Sequence, residues 1–263
     1  MMQRVGLILC FALVACSREP TPMSFDGGLT NDKVAQIRHG ERLTQVLGCT
    51  GCHRANLEGG RFFELYASNL TRELPKYTDE QFDGLLRRAQ TPSGKVLWAM
   101  PSHIFQHLGE PDERALLAYL RTLKPGGLPT QPMLPLEPET KALLIKGVIK
   151  PEARMVAETR NELPIDLGPQ YALGRYITSV TCAECHGPTL EGQSEPDKIP
   201  NLIVAGGYSR AEFERLITTG TPIGGRKLNE MMVVVAQERF PHLTPHERDA
   251  LYAYLKARAE LAR

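Results

Sequence analysis

Apolar side chains recur along most of this chain at helical rather than alternating spacing. Val34, Ile37, Leu43 and Val46 or Leu47 fall at such intervals over residues 33–47, predicting an opening helix. Thr78-Asp79-Glu80-Gln81 and Ser209-Arg210-Ala211-Glu212 set a hydroxyl three residues ahead of Gln or Glu, the reciprocal cap that starts a helix. Thr244-Pro245-His246-Glu247 repeats the device with Pro at the first helical position. Leu116, Tyr119, Leu120 and Leu123, and later Leu251, Tyr254 and Leu255, are the apolar stripes of two closing helices. No alternating stretch with hairpin signals competes, so the expected fold class is all-α.

The pattern occurs twice. Cys49-Thr50-Gly51-Cys52-His53 recurs as Cys182-Ala183-Glu184-Cys185-His186, an offset of 133. Leu57-Glu58-Gly59 matches Leu190-Glu191-Gly192, and Asn69-Leu70 matches Asn201-Leu202. Tyr77-Thr78 through Phe82 corresponds to Tyr208-Ser209 through Phe213, and Ala118-Tyr119-Leu120 to Ala253-Tyr254-Leu255. A drift of a few residues in offset is what loop insertions and deletions produce. Two homologous halves follow, residues 30–124 and 169–263. The connector, 125–168, carries Pro125, Pro129, Pro132, Pro135, Pro138, Pro151 and Pro164. Structureless connections of that length are uncommon, so a short helix over 141–149, packed across both halves, is expected. Within the halves, His39 is expected on an exposed face of the opening helix.

The N-terminus departs from the helical pattern. One positive charge in residues 1–4 precedes an apolar run from Val5 to Ala15, too short to span a bilayer but fitting a secretory signal. Its end, Leu13-Val14-Ala15-Cys16, resembles the lipobox of a bacterial lipoprotein, with residues 1–15 removed and Cys16 acylated. Residues 16–29, containing Pro20, Pro22, Gly27 and Gly28, then read as a flexible tether. The formal charge is +1, from 31 Lys and Arg against 30 Asp and Glu, so no strongly basic face for nucleic acid is implied.

Six cysteines carry the chemistry. Cys-x-x-Cys-His is a c-type haem attachment signature: two thiols three positions apart can each form a thioether to a vinyl group, and the adjacent His becomes an iron ligand. A lone motif of this kind also suits zinc or redox thiols. Here it occurs twice, in a chain with an export signal, at corresponding places in a repeat. Two covalently bound haem c groups therefore take Cys49, Cys52, Cys182 and Cys185, with His53 and His186 on iron. Cys10 leaves with the signal and Cys16 takes lipid. An aromatic content of only 6% is consistent with cores completed by two porphyrins.

The second iron ligand decides between electron transfer and chemistry on a bound substrate. Met100 follows His53 by 47 residues, and Met231 and Met232 follow His186 by 45 and 46. Met232 is preferred because it lies 24 residues after Tyr208, close to the 23 separating Tyr77 from Met100. His103, His107, His242 and His246 are the alternatives, His103 the foremost.

Each half resembles a class I cytochrome c domain, from the opening helix through Cys-x-x-Cys-His, the Asn-Leu pair and the Met segment to the closing Ala-Tyr-Leu helix. The chain as a whole is similar to bacterial dihaem c-type cytochromes, apart from its connector and tether. The resemblance implies small helical domains with haem in a crevice and His/Met ligation, and it sets Asn69 and Asn201 near the haem propionates. The expected function is a lipid-anchored electron carrier on the periplasmic side of a bacterial membrane, the outer membrane being favoured. It would relay single electrons between a dehydrogenase and a cytochrome or oxidase acceptor. A dihaem enzyme, peroxidase-like or thiosulfate-oxidising, and a fixed subunit of a dehydrogenase complex are the competing readings.

Overall fold

The computed structural model describes residues 22–62, 64–193 and 198–262. The expected signal segment 1–15 and the lipidation site Cys16 lie outside the described residues. The first half comprises α1 (Lys33–Val46), α2 (Cys49–His53), strands β1 (Gly60–Phe62) and β2 (Leu65–Ala67), α3 (Leu70–Glu73), α4 (Asp79–Arg88), α5 (Ser102–Phe105) and α6 (Glu110–Leu120). The connector forms α7 (Pro138–Ile145) and α8 (Glu152–Thr159). The second half has α9 (Ala172–Val180), α10 (Ala183–His186), α11 (Arg210–Thr219), α12 (Glu230–Glu238) and α13 (Pro245–Leu261).

Local chemistry sets the helix starts. The Asp32 carboxylate accepts from Ala35 N at 2.6 Å and opens α1. All three predicted capping boxes are formed, at Thr78 with Gln81, Ser209 with Glu212, and Thr244 with Glu247. The short antiparallel pair of β1 and β2, with Arg61 opposite Tyr66, was not expected from the sequence. Three-residue strands are too brief to leave an alternating signature.

In each half the opening helix crosses the closing helix at a glycine. A methyl group on Gly40 of α1 would lie 1.9 Å from the Ala115 carbonyl oxygen of α6. One on Gly174 of α9 would lie 2.2 Å from the Ala250 oxygen of α13. Around these crossings Leu43, Val46, Leu116 and Leu120 are buried, as are Ile177, Val180, Leu251, Tyr254 and Leu255. Each such side chain contributes about 1.5–3 kcal/mol on full burial. The buried side chains of both halves join in one cluster. Val34, counted in the expected apolar stripe, is instead 61% exposed.

The halves meet through reciprocal polar contacts. Asp112 of α6 and Glu247 of α13 occupy corresponding third helical positions, and both carboxylates are fully buried. The Tyr176 hydroxyl of α9 donates to Asp112 Oδ2 at 2.5 Å. Arg42 of α1, its counterpart at offset 134, donates to both Glu247 oxygens at 2.7 and 2.9 Å. Equivalent positions thus reach across in both directions, the pattern of a two-fold interface within one chain.

Residues 22–29, expected as part of a flexible tether, are packed across this junction. Phe25 is 2% exposed and stacks at a tilt on Tyr176, with ring centroids 5.3 Å apart. Ser24 Oγ and Phe25 N donate to Asp112, and Asp26 N donates to Glu247. His39, expected at the surface, is 6% exposed, with Nε2 2.7 Å from Asp112 Oδ1. A buried carboxylate on the neighbouring helix draws both segments inward, a cause that helical periodicity alone does not reveal.

The connector also differs from expectation. The apolar helix α7 buries none of its residues, and Ile145 is 87% exposed. The packed element is α8, which lies against α4 and α5 of the first half. There Val156 is buried, and the buried Glu152 accepts from His103 Nδ1 at 2.9 Å.

Candidate functional site

The two Cys-x-x-Cys-His motifs fold alike. Cys49 and Cys52 stand one turn apart on α2, and Cys182 and Cys185 one turn apart at the start of α10, so each pair shares a helix face. The helix ends at the histidine, and the chain leaves through Arg54 (φ 68°) or Gly187 (φ 77°). Two residues then close the same loop in both halves. Leu57 N donates to Arg54 O at 2.9 Å and Leu190 N to Gly187 O at 3.0 Å, both leucines being left-handed and fully buried. Gly59 N donates to His53 O and Gly192 N to His186 O, each at 2.9 Å.

This loop delivers a backbone carbonyl to each imidazole. His53 Nδ1 lies 2.7 Å from Ser68 O, and His186 Nδ1 lies 2.8 Å from Pro200 O. A carbonyl oxygen only accepts, so Nδ1 carries the proton in both rings and Nε2 presents its lone pair. Burial pulls both imidazoles below the ordinary histidine value, partly opposed by these hydrogen bonds, and so favours the neutral, ligating form. Sequence reasoning missed Ser68 and Pro200. The available signal was the repeated Asn-Leu pair, because each carbonyl belongs to the residue just before that Asn.

The four cysteines are half-buried free thiols, with no disulfide among the described residues. Burial pushes Cys49 up to about 12 and Cys182 to about 11, which does not suit reactive thiolates. Among the described residues no group of three or more His, Cys, Asp or Glu is placed to hold a metal ion, so the Cys pairs do not converge on a zinc-type cage.

Met100 and Met232 both pack, partly buried, against the apolar core, whereas Met231 is 44% exposed. Their settings differ. Met100 precedes Pro101, which disfavours helix at the preceding residue, and lies in an irregular segment. Met232 lies on α12, whose start is capped by the Asn229 side chain accepting from Met231 N.

Two of the four alternative histidines face carboxylates. His103 meets Glu152, and the exposed His246 meets Asp26 at 2.9 Å. His242 is exposed, and the His107 ring lies in a small crevice with Thr159 and Ala183. Asn69 is fully buried, and its amide donates to Gly126 O and Leu128 O, fastening the start of the connector. Asn201 Oδ1 accepts from Arg258 of α13 and from Ile203 N. Both side chains are thus held by protein groups.

The donor set in each half, two thiols on one helix face, an imidazole with Nε2 available and a thioether against the core, fits covalent haem. None of the curated proteins compared matches the chain. Residues 171–259 match the family model described as Cytochrome c, so the second half contains a cytochrome c domain, which supports a haem-carrying electron-transfer protein.

Proposed function

We propose that the chain is a dihaem c-type cytochrome in which residues 30–124 form a second cytochrome c domain. The observation that carries this reading is the matched pair of hydrogen bonds, His53 Nδ1–H to Ser68 O and His186 Nδ1–H to Pro200 O. They give the two histidines one tautomer in one loop geometry. Cys49 and Cys52 would tether the first haem and Cys182 and Cys185 the second. His53 and Met100 would ligate one iron, and His186 and Met232 the other.

Bound in this way, each haem supplies a one-electron couple whose His/Met ligation favours a relatively high potential. The protein holds each imidazole fixed through its Nδ1 proton, so little reorganises when an electron moves. With both ligand positions filled by side chains, the reading is a carrier rather than an enzyme. Its partners are a dehydrogenase donor and a cytochrome or oxidase acceptor, with no role for nucleic acid.

The burial contrast favours Met232 over Met231 as the second ligand. Met232→Ala should remove half the sulfur-to-iron charge-transfer absorption of the oxidised protein, and Met231→Ala should leave it intact. The reverse outcome would reassign the ligand to Met231.

Among the described residues no helix is long and apolar enough to cross a membrane. We propose anchoring through lipid on Cys16, on the periplasmic side of a bacterial membrane, from the lipobox-like Leu13-Val14-Ala15-Cys16. A Cys16→Ser chain is expected in the soluble fraction; its retention with membranes would count against the anchor.

A further inference from the structure

One ion pair touches both haem-attachment motifs. Arg239, at the end of α12, donates from Nη1 to Oε2 of Glu184 at 2.5 Å. Glu184 is the second intervening residue of Cys182-Ala183-Glu184-Cys185-His186. The same guanidinium lies against the first motif. A methyl group on Gly48, the residue before Cys49, would sit 2.2 Å from Arg239 Nε and Cζ and 2.4 Å from Nη2. Any side chain at position 48 would displace the guanidinium, so glycine is what permits the contact. The Arg239 and Glu184 side chains are only 18% and 25% exposed, which leaves little water to screen them.

The repeat makes the bridge one-sided. Glu184 corresponds to Gly51 at offset 133, and Arg239 to Ile104 at the offset of 135 that relates Phe240 to Phe105 and Leu243 to Leu108. The first half therefore has no counterpart at these positions, and one pair serves both motifs.

We propose that the Arg239–Glu184 pair is a shared electrostatic element that sets the reduction potentials of both haem sites together, an inference that rests on the dihaem reading above. Intact, the pair is neutral. Removing one member leaves a net charge beside both motifs in a poorly solvated place, where Coulomb interactions are several-fold stronger than in water. A haem iron loses one positive charge on reduction, so a residual positive charge favours the reduced form at both sites and a negative one opposes it. Arg239 and Glu184 are positioning residues here, acting through charge without ligating iron.

The test is a potentiometric titration of the full-length haem-loaded protein, followed by haem absorbance, for Glu184→Gln, Arg239→Gln and the double variant. Glu184→Gln should raise both midpoints, each by at least a tenfold change in the reduced-to-oxidised ratio, about 59 mV for a one-electron couple. Arg239→Gln should lower both, and the double variant should return both to within about twofold of the parent ratio. A shift confined to one haem, or no shift, in Glu184→Gln overturns the proposal. Should that variant lose haem, Arg239→Gln carries the test, and a change at fewer than two haems overturns it equally. Haem is quantified in every sample. Fewer than two haems in the parent protein refutes the dihaem reading, whereas two haems whose potentials do not move refute this inference alone.

Discussion

Asp112→Ala is expected to cost about 3–5 kcal/mol of stability, the range for removing one partner from a buried charged or strongly hydrogen-bonded cluster. The carboxylate is fully buried and receives four groups. His39 Nε2 and Ser24 Oγ approach Oδ1 at 2.7 and 2.9 Å, while Phe25 N and the Tyr176 hydroxyl donate to Oδ2 at 3.0 and 2.5 Å. Alanine leaves His39, Phe25 N and the Tyr176 hydroxyl without that acceptor in a buried place, while Ser24 keeps the Phe25 carbonyl, and each orphaned group costs about 1–3 kcal/mol. Two of the four come from the N-terminal strap and one from the second half, so the loss loosens the junction as well as α6. The midpoint of thermal unfolding should fall by roughly 10 °C, at about 2–4 °C per kcal/mol for a chain of this size. The bond after Phe25 should also open to limited proteolysis. Asp112→Asn keeps one acceptor oxygen but turns an amide donor toward other donors, so it should fall between. An Asp112→Ala protein that melts with the parent would show that the cluster does not hold the halves.

Gly174→Ala carries the second large effect. Alanine is normally worth about 1 kcal/mol more than glycine inside a helix. At this position, however, the added methyl would sit 2.2 Å from the Ala250 carbonyl oxygen and 2.6 Å from Tyr254 Cβ. The obstruction is backbone and the base of a fully buried side chain, so α9 and α13 must separate. Forcing extra volume into a packed contact costs about 1–3 kcal/mol and occasionally more, and at this distance the upper end applies. The net expectation is a loss of about 2 kcal/mol, seen as a melting midpoint roughly 5 °C lower. Gly207→Ala is the control, since a methyl there meets nothing within 4 Å. Equal behaviour of the two variants would mean that the helices do not cross at Gly174 as described.

These sites mark the boundary of what the sequence disclosed. Short-range chemistry was legible. The capping boxes at Thr78, Ser209 and Thr244, the helix over 33–46 and the paired Cys-x-x-Cys-His turns all depend on neighbours a few residues away. The repeat was legible too, and it relates more than the haem motifs. Asp112 and Glu247 share the offset of 135 that relates the closing helices, so two carboxylates at one helical position could have been suspected of one task.

What stayed hidden depends on distant partners. His39 and Phe25 look like surface and tether until Asp112 stands beside them. In the connector, apolar content pointed to 141–149, yet α8 is the element that packs. Its Val156 and the buried Glu152 acquire meaning only against α4 and α5. Within the site, residue types pointed to the proposed iron ligands, while the carbonyls of Ser68 and Pro200 that fix the histidine tautomer carry no side-chain signature. Arg239 could not be connected to Cys49 in sequence, since 190 positions separate them.

The central claim is one His/Met haem in each half. It is tested most directly by quantifying covalent haem per chain in the purified oxidised protein while recording the sulfur-to-iron charge-transfer band. The account predicts two haems, a band of two-haem intensity and no reaction of the reduced protein with carbon monoxide. A single haem per chain, or a second haem that is high-spin and binds carbon monoxide, would contradict it.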